Sequence, residues 1–266
     1  MKGFFETAMV VFRSRSVYRV NTLLAMAGKL VKLAVPLFVW QALYSASGSE
    51  TVNGRTLRDM VVYVLISGIC TSLMSADFAE TIESRMKTGL IEYNFLRPLP
   101  TRLIFAGESL GQSLYELAVS AAPVLLLSLV LFPVLGLSVP LVNIPFFILS
   151  LFFGYMISLL FELLKGMFAF WFVNVFILNW FLDLFYVLLS GAYVPLWFFP
   201  EWLRAVASFL PFQAACFLPV EIFLGARDAE GCVAALLIQL AWIAVLWLLQ
   251  EIMWRKSVRK LTIMGG

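Results

Sequence analysis

Six apolar stretches, each about as long as a membrane-crossing helix, constrain this chain more than any other feature of its sequence. The hydrocarbon core of a bilayer is about 30 Å thick, so a helix needs about 20 apolar residues to cross it. The stretches are Thr22–Tyr44, Met60–Ala79, Ser109–Phe132, Asn143–Leu164, Phe168–Tyr193 and Cys232–Trp254. Because 62% of the residues are hydrophobic and only 13% are charged, a soluble core could not hide this surface. The sequence therefore predicts an all-α, polytopic integral membrane protein with six transmembrane helices.

Basic residues predict which way the spans face. Lys and Arg accumulate in the cytoplasmic loops of membrane proteins. With the N-terminus inside, 15 of the 19 Lys and Arg residues fall on the cytoplasmic side, and the outside holds only Arg55, Arg58, Arg204 and Arg227. An even number of spans returns the C-terminus to the same side. We therefore predict an N-in/C-in protein, whose basic end at residues 255–260 contacts anionic lipid headgroups.

Residues 1–21 mix charges with large apolar side chains and are predicted to form a region of their own, ahead of a transmembrane domain over 22–266. Early charges such as Lys2 and Arg13 leave no uncharged core of a cleavable signal peptide before the first span. The pattern predicts an amphipathic interfacial helix that lies on the membrane and could also touch a partner. Within the first span, Lys29 and Lys32 share a helix face and are expected to snorkel towards the cytoplasmic headgroups, with substrate binding as the alternative.

The residue types exclude several chemistries. The chain has no His and no G-x-x-x-x-G-K-[ST] loop, which excludes imidazole metal sites, Ser–His relays and a phosphate-binding loop of its own. Cys70, Cys216 and Cys232 are scattered and are expected to be small apolar side chains, a Cys216–Cys232 bridge being open only on an oxidising face. The net charge of +3 is spread along one membrane face and does not indicate nucleic acid. We expect no cofactor and no metal bound by this chain.

The segment 80–106, between spans two and three, is charged and punctuated by Gly and Pro. Its residues 86–89 predict a turn, and residues 90–96 predict a short helix that ends before Pro98. The apolar side chains Leu90, Tyr93 and Leu96 fall on one face of that helix. Apolar contacts supply affinity for a partner and charges supply register, as a soluble partner that delivers force would need. The alternative is a solvated loop that only follows the positive-inside rule.

Three features of the sequence resemble a known family. The run M-K-T-G-L-I-E-Y-N-F-L-R-P-L-P, residues 86–100, resembles the first cytoplasmic loop of type-2 ATP-binding-cassette (ABC) export permeases, in the branch with six spans. The run S-G-A-Y-V-P-L-W-F-F-P-E-W-L, within Leu188–Phe212, is similar to the segment that follows their fifth span. The basic helix end before Gly265-Gly266 is a third match.

The resemblance implies that transport and ATP hydrolysis are carried out by separate subunits. Two permease subunits, identical or related, would pair, and two separately encoded ATPase subunits would bind ATP and Mg. The loop after span two would be the coupling helix that takes up their motion. Its residues would be Lys87, Gly89, Leu90, Glu92, Tyr93, Leu96, Arg97 and Pro98.

The external segment 194–212 is too aromatic to sit fully in water. We interpret it as two short helices that dip back into the outer leaflet and form an external gate, as the family resemblance implies. The gate residues would be Pro195, Trp197, Phe199, Pro200 and Trp202. An interfacial aromatic belt is the alternative.

By resemblance, the substrate pathway runs along the permease–permease interface beside spans two and five. Its lining would be Ser67, Thr71, Met74, Phe181, Asp183, Phe185 and Leu189, and packing against sibling helices explains each position equally well. For the intramembrane Asp183, an interhelical hydrogen bond, contact with a cationic or polar substrate, and proximity to the outer interface all stay open. Glu162 and Lys165 are expected to form a local ion pair.

The sequence thus predicts the permease subunit of an ABC exporter for a lipophilic or amphipathic substrate in a bacterial cytoplasmic (inner) membrane. It would be a transport subunit and not an enzyme. The first alternative is an ion- or proton-coupled secondary carrier that works without an ATPase and would need repeats and paired ionisable residues. The second is an intramembrane enzyme, for which the sequence offers no nucleophile with a base and no metal cluster.

Overall fold

The computed structural model describes residues 2–17, 19–74, 78–90, 93, 96, 99–135, 141–172 and 174–264. Over these residues the chain is almost entirely helical. Its α-helices are α1 Lys2–Ser16, α2 Arg19–Ser47, α3 Leu57–Met74, α4 Phe78–Lys87, α5 Thr101–Leu135, α6 Ile144–Met167, α7 Phe176–Leu189, α8 Glu201–Ser208, α9 Phe217–Phe223 and α10 Ala229–Met264. Short 3-10 turns lie at Leu141–Asn143, Phe168–Phe170, Leu196–Phe198 and Pro211–Ala214.

The two strands form a small hairpin between α2 and α3. Strand β1 (Thr51–Val52) pairs antiparallel with β2 (Arg55–Thr56) around Asn53 and Gly54, which have φ angles of 50° and 73°. Positive φ at both central residues is what a tight hairpin turn requires, and Asn-Gly is the preferred pair for it.

Three described helices are long and apolar enough to cross a membrane: Val20–Ser47, Ile144–Phe170 and Ala229–Ser257. A further pair, Glu201–Ser208 and Pro211–Phe223, passes the same test together but is bent by 73° at its break. Both findings confirm an all-α membrane protein. Six spans and the N-in/C-in topology stay predictions.

The predicted fifth span, Phe168–Tyr193, is wrong as one continuous helix. Its first residues form the 3-10 turn Phe168–Phe170 and an irregular stretch, so α7 starts only at Phe176. The helix ends at Leu189, just before Gly191, whose φ of 75° cannot continue a right-handed helix. At 1.5 Å per residue, its 14 residues reach about 21 Å, less than the hydrocarbon thickness.

Helix α3 begins earlier than the predicted start of the second span at Met60. The Thr56 side chain accepts the Asp59 N–H at 3.3 Å, and the Asp59 carboxylate accepts the Thr56 N–H at 2.9 Å. This reciprocal capping box satisfies two backbone donors and starts the helix at Leu57. The predicted end of the span includes residues 75–77, which lie outside the described set.

The principal core lies where α3, α6, α9 and α10 meet. Gly154 of α6 packs against the backbone of Ala215, and a Cβ there would come within 2.6 Å of the Ala215 carbonyl oxygen. From α10, the Gln239 amide donates to the carbonyls of Ser150 at 3.0 Å and Ala214 at 2.7 Å. These contacts hold the segment between α8 and α9 against the two long helices.

The N-terminal helix packs against the rest of the protein. Helix α1 packs along α5, where Gly107 and Gly111 leave room for the backbone of Phe4 and Ala8. Ala8 is buried in this contact. The predicted region 1–21 therefore contains a helix that ends at Ser16 and is docked on the body of the protein.

Candidate functional site

A polar cavity of about 620 Å³ lies among α2, α3, α4, α5, α6 and α7. Among the described residues, seven acidic or basic side chains contribute to its wall, three of them Lys and four carboxylates. They are Lys29, Lys32, Lys165, Glu80, Glu116, Glu162 and Asp183. Such groups are expensive inside a membrane protein and face a cavity or each other. We call this space the polar cavity.

Lys165 is the centre of a carboxylate–lysine cluster formed with Glu162 and Asp183. Its side chain is only 4% exposed, and its Nζ lies 2.5 Å from the Glu162 carboxylate, one turn away on α6. The same Nζ donates to the Asp183 carboxylate of α7. The predicted local pair is confirmed, and the bond that crosses to α7 gives Asp183 an interhelical partner.

Lys29 also has a protein partner. Its Nζ lies 3.0 Å from the Glu116 carboxylate of α5, and both side chains are mostly buried. The expected snorkelling of Lys29 towards headgroups stays a prediction, while a carboxylate on a neighbouring helix holds its ammonium in the cavity wall. Lys32 lines the polar cavity one turn further along α2.

Only some of the predicted pathway residues reach this region. Thr71 and Asp183 line the polar cavity, and Ser67 lines a smaller adjoining cavity that shares Lys29, Lys32 and Thr71 with it. Phe181 and Phe185 lie on the exposed face of α7 instead.

Of the remaining two predicted pathway residues, Leu189 does not line either cavity. Leu189 is buried in the principal core. Met74 ends α3, and its side chain lies outside the described set.

Sequence reasoning missed most of the cavity wall. Glu80, Glu116 and Asn179 join it from three different helices, and Lys165 reaches Asp183 across 18 residues of sequence. Ionisable residues inside apolar stretches were the sequence signal that indicates such a cavity. The sequence does not show which of these residues pair, because that depends on how the helices pack.

The predicted coupling segment 80–106 starts on a helix that is bonded to the rest of the protein. In α4, Glu83 is buried, and its carboxylate accepts Lys87 Nζ at 2.6 Å and the Val175 N–H at 3.3 Å. Arg85 pairs with Glu108 of α5 at 2.8 Å. The last turns of α4 are thus bonded to α5 and to the residue that precedes α7.

The predicted turn and exposed face follow α4 directly. Gly89 has a φ of 71°, and its N–H donates to the Met86 carbonyl at 3.3 Å, which confirms the turn over residues 86–89. Leu90, Tyr93 and Leu96 all have large exposed side chains. The predicted coupling residues Glu92, Arg97 and Pro98 lie outside the described residues.

Polar bonds around Trp197 hold the predicted external segment 194–212. The Trp197 Nε1 donates to Glu221 at 2.9 Å, and the Trp197 carbonyl accepts from Arg204 at 2.8 Å. The Arg55 guanidinium lies 4.1 Å from the centroid of the Trp197 ring. The other four predicted gate residues differ in their exposure to solvent.

Pro195 and Phe199 are buried, whereas Pro200 and Trp202 are exposed. The structure therefore brings Trp197 and its two buried neighbours together and leaves Trp202 away from them.

The fold and the cavity define a multi-pass membrane protein that carries a charged chamber between its helices. The chain belongs to the ABC-2 family transporter proteins, since the model of that family matches residues 30–265. The family assignment confirms the resemblance and makes the chain a permease component of an ABC transporter. Permeases of this family work with ABC ATPase subunits. No curated protein matches the sequence.

Proposed function

We propose that this chain is a six-span, N-in/C-in permease that exports an amphipathic substrate when partner ATPase subunits move its coupling segment. The observation that carries the proposal is the exposed apolar face of Leu90, Tyr93 and Leu96, which follows a helix bonded to the protein interior. Three large apolar side chains in a charged, solvent-facing loop are suited to a partner surface. The proposed partners are two ABC ATPase subunits, which bind ATP and Mg, and a second permease.

The bonds of α4 offer a route by which motion of the coupling segment would reach the polar cavity. Glu83 joins the last turn of α4 to Val175, and α7 starts at the next residue. Gly166 lets Ile82 of α4 approach α6 directly beside Lys165. A displacement of α4 would therefore act on both helices that hold the carboxylate–lysine cluster.

The remaining parts of the proposal follow from the same geometry. Helix α7 exposes most of its apolar side chains, a surface suited to a second permease. Trp197 and its buried neighbours are held by polar bonds, which suits a gate on the proposed external side. Orientation in a bacterial cytoplasmic membrane rests on the distribution of Lys and Arg.

The decisive experiment replaces Leu96 by Asp and measures how much ATPase co-purifies with the tagged chain from its native membranes. Leu96 is 81% exposed, so the charge should not disturb folding, but it should disrupt an apolar contact with a partner. We expect at least a tenfold loss of co-purified, stoichiometric ATPase activity, which corresponds to about 1.4 kcal/mol of binding free energy.

The matched control is Phe209→Asp, because Phe209 is 82% exposed on the proposed external side. Its ATPase content should equal that of the unmodified chain. If Leu96→Asp retains its ATPase, or if both variants lose it equally, the coupling role is wrong.

A second candidate function is an ion- or proton-coupled carrier that works without an ATPase. The cluster of Lys165 with Glu162 and Asp183 favours it, because paired intramembrane ionisable residues are what such a carrier needs. Substrate flux by the purified chain alone in liposomes, under an ion gradient and without ATP, would support this candidate against the first.

A further inference from the structure

Among the residues that the structure describes, the charges around the polar cavity do not balance. Three Lys ammonium groups face four carboxylates in this part of its wall. Lys29 is matched by Glu116, and Lys32 and Glu80 offset each other in sign, so the surplus negative charge falls on the carboxylate–lysine cluster. There, one ammonium serves two carboxylates.

Asp183 is the member of that cluster that the cavity can reach. Its side chain is 50% exposed, whereas those of Glu162 and Lys165 are 8% and 4% exposed. Lys165 bonds one oxygen of the Asp183 carboxylate, Oδ1. The exposed part of this carboxylate is therefore a place where a second cation would meet a negative charge.

Asn179 supplies an independent observation at the same place. It lies one turn before Asp183 on the same face of α7 and also lines the polar cavity. Its side chain belongs to a residue only 5% exposed, yet within the described part of the chain neither its amide oxygen nor its amide nitrogen has a hydrogen-bond partner. Buried amides are nearly always bonded, so this one points to a ligand group that the cavity accepts.

We propose that the polar cavity binds an organic ammonium compound, with its positive nitrogen at Asp183 and an N–H donated to the Asn179 amide oxygen. The cavity volume of about 620 Å³ lies in the range of sites for small organic ligands. The Tyr193 ring, which is exposed and lines the same cavity, adds an aromatic surface of the kind that attracts cations. This assignment rests on the proposed function and specifies its substrate class.

The test uses three probes that share an eight-carbon chain: octylammonium, octanol and octanoate. The full chain, purified in nanodiscs, is titrated with each probe at neutral pH, and binding is followed by tryptophan fluorescence and by the thermal unfolding midpoint. We expect saturable binding and stabilisation with octylammonium only. Equal responses to the three probes, or a stability that responds to pH and not to octylammonium, would overturn the proposal.

Two variants locate the site. Asp183→Asn keeps the shape of the side chain and leaves Lys165 paired with Glu162, and it should abolish saturable octylammonium binding. Asn179→Ala should weaken the affinity about tenfold, the usual consequence of losing about one hydrogen bond. Glu230→Gln removes an exposed carboxylate outside the cavity and should bind as the unmodified chain does. An unchanged octylammonium affinity in Asp183→Asn would show that the assignment is wrong. If a variant does not fold, the titrations of the unmodified chain with the three probes test the proposal instead.

Binding to the isolated chain needs no ATPase, so this experiment and the Leu96→Asp experiment can fail separately. If octylammonium does not bind but Leu96→Asp still loses the ATPase, the proposed substrate class is wrong and the permease function stands. The reverse result would remove the coupling role and leave the cation site.

Discussion

At the scale of single residues, Lys165 has the greatest energetic importance in the described cavity wall. A buried ammonium between two carboxylates is stable only as a set, because removal of one partner leaves uncompensated charge away from water. Arg255 pairs with Glu251 at 2.8 Å, but its side chain is 72% exposed, and Glu251 also pairs with Arg102. Water screens the Arg255 pair and reaches very little of Lys165, so the two basic residues should differ sharply in their contribution to stability.

We expect Lys165→Ala to lower the free energy of unfolding by about 3–5 kcal/mol, because two carboxylates would face each other without their cation. Arg255→Ala, the control at an exposed ion pair, should cost no more than about 1 kcal/mol, because Glu251 keeps Arg102 as a partner. Unfolding of the detergent-purified variants measures both. Lys165→Met combined with Glu162→Gln and Asp183→Asn should recover most of the loss, and equal losses for Lys165→Ala and Arg255→Ala would contradict the role given to burial.

At the scale of helices, two glycines of α5 decide where α1 lies. A Cβ on Gly107 would come within 2.9 Å of the Phe4 carbonyl oxygen, and Gly111 lies against the Ala8 backbone. Backbone atoms cannot move aside as a flexible side chain can. The close approach of α1 to α5 therefore depends on the missing side chains and not only on the amphipathic pattern of α1.

Gly107→Ala should cost about 1–3 kcal/mol through overpacking and should loosen α1. Gly28→Ala is the control, because a Cβ there meets no atom within 4 Å. In a helix interior, that control should gain up to about 1 kcal/mol from the better helix propensity of Ala. Faster hydrogen–deuterium exchange in residues 2–16 of the first variant alone is the expected result. Protection of α1 in both variants would show that the glycine contact is dispensable.

At the scale of the whole molecule, α7 has an exposed apolar face that is suited to packing against another protein. The exposed side chains of α7 include Phe176, Ile177, Trp180, Phe181 and Phe185. The backbone of α7 comes close to few other elements, mainly to the turn Pro211–Ala214. The same helix carries Asn179 and Asp183 on its inward face. A second permease packed on the outward face would thus lie one helix away from the polar cavity.

Ile177→Cys tests that arrangement by oxidative cross-linking in native membranes. The natural cysteines Cys70, Cys216 and Cys232 are free and buried, so they should not compete. Ile177 is 66% exposed, and we expect its Cys variant to form a disulfide-linked dimer. Leu237→Cys on α10 is the control, since Leu237 is 60% exposed on a different helix. Equal cross-linking of the two variants, or none at Ile177→Cys, would exclude α7 as the pairing surface.

The local pattern of the chain was enough for its membrane class, its family and several helix positions. Long apolar runs, the Gly89 turn and the motifs at 86–100 and 188–212 depend on residues close in sequence, so they can be read without knowing what they contact. The break before α7 shows the limit of that reasoning. Residues 168–175 are as apolar as a span, yet Val175 leaves the helical path and donates its N–H to Glu83 of a distant helix.

The polar cavity belongs almost wholly to the packing of the helices. Glu162 and Lys165 share a helix turn, and their pair followed from spacing alone. Three features arise only when α2, α5, α6 and α7 come together: the bond from Lys165 to Asp183, the pair of Lys29 with Glu116, and the buried amide of Asn179, which has no partner among the described residues. Hydrophobic periodicity orders each helix by itself, whereas the partner of a buried charge is set by which neighbouring helix places a complementary group within a few ångströms.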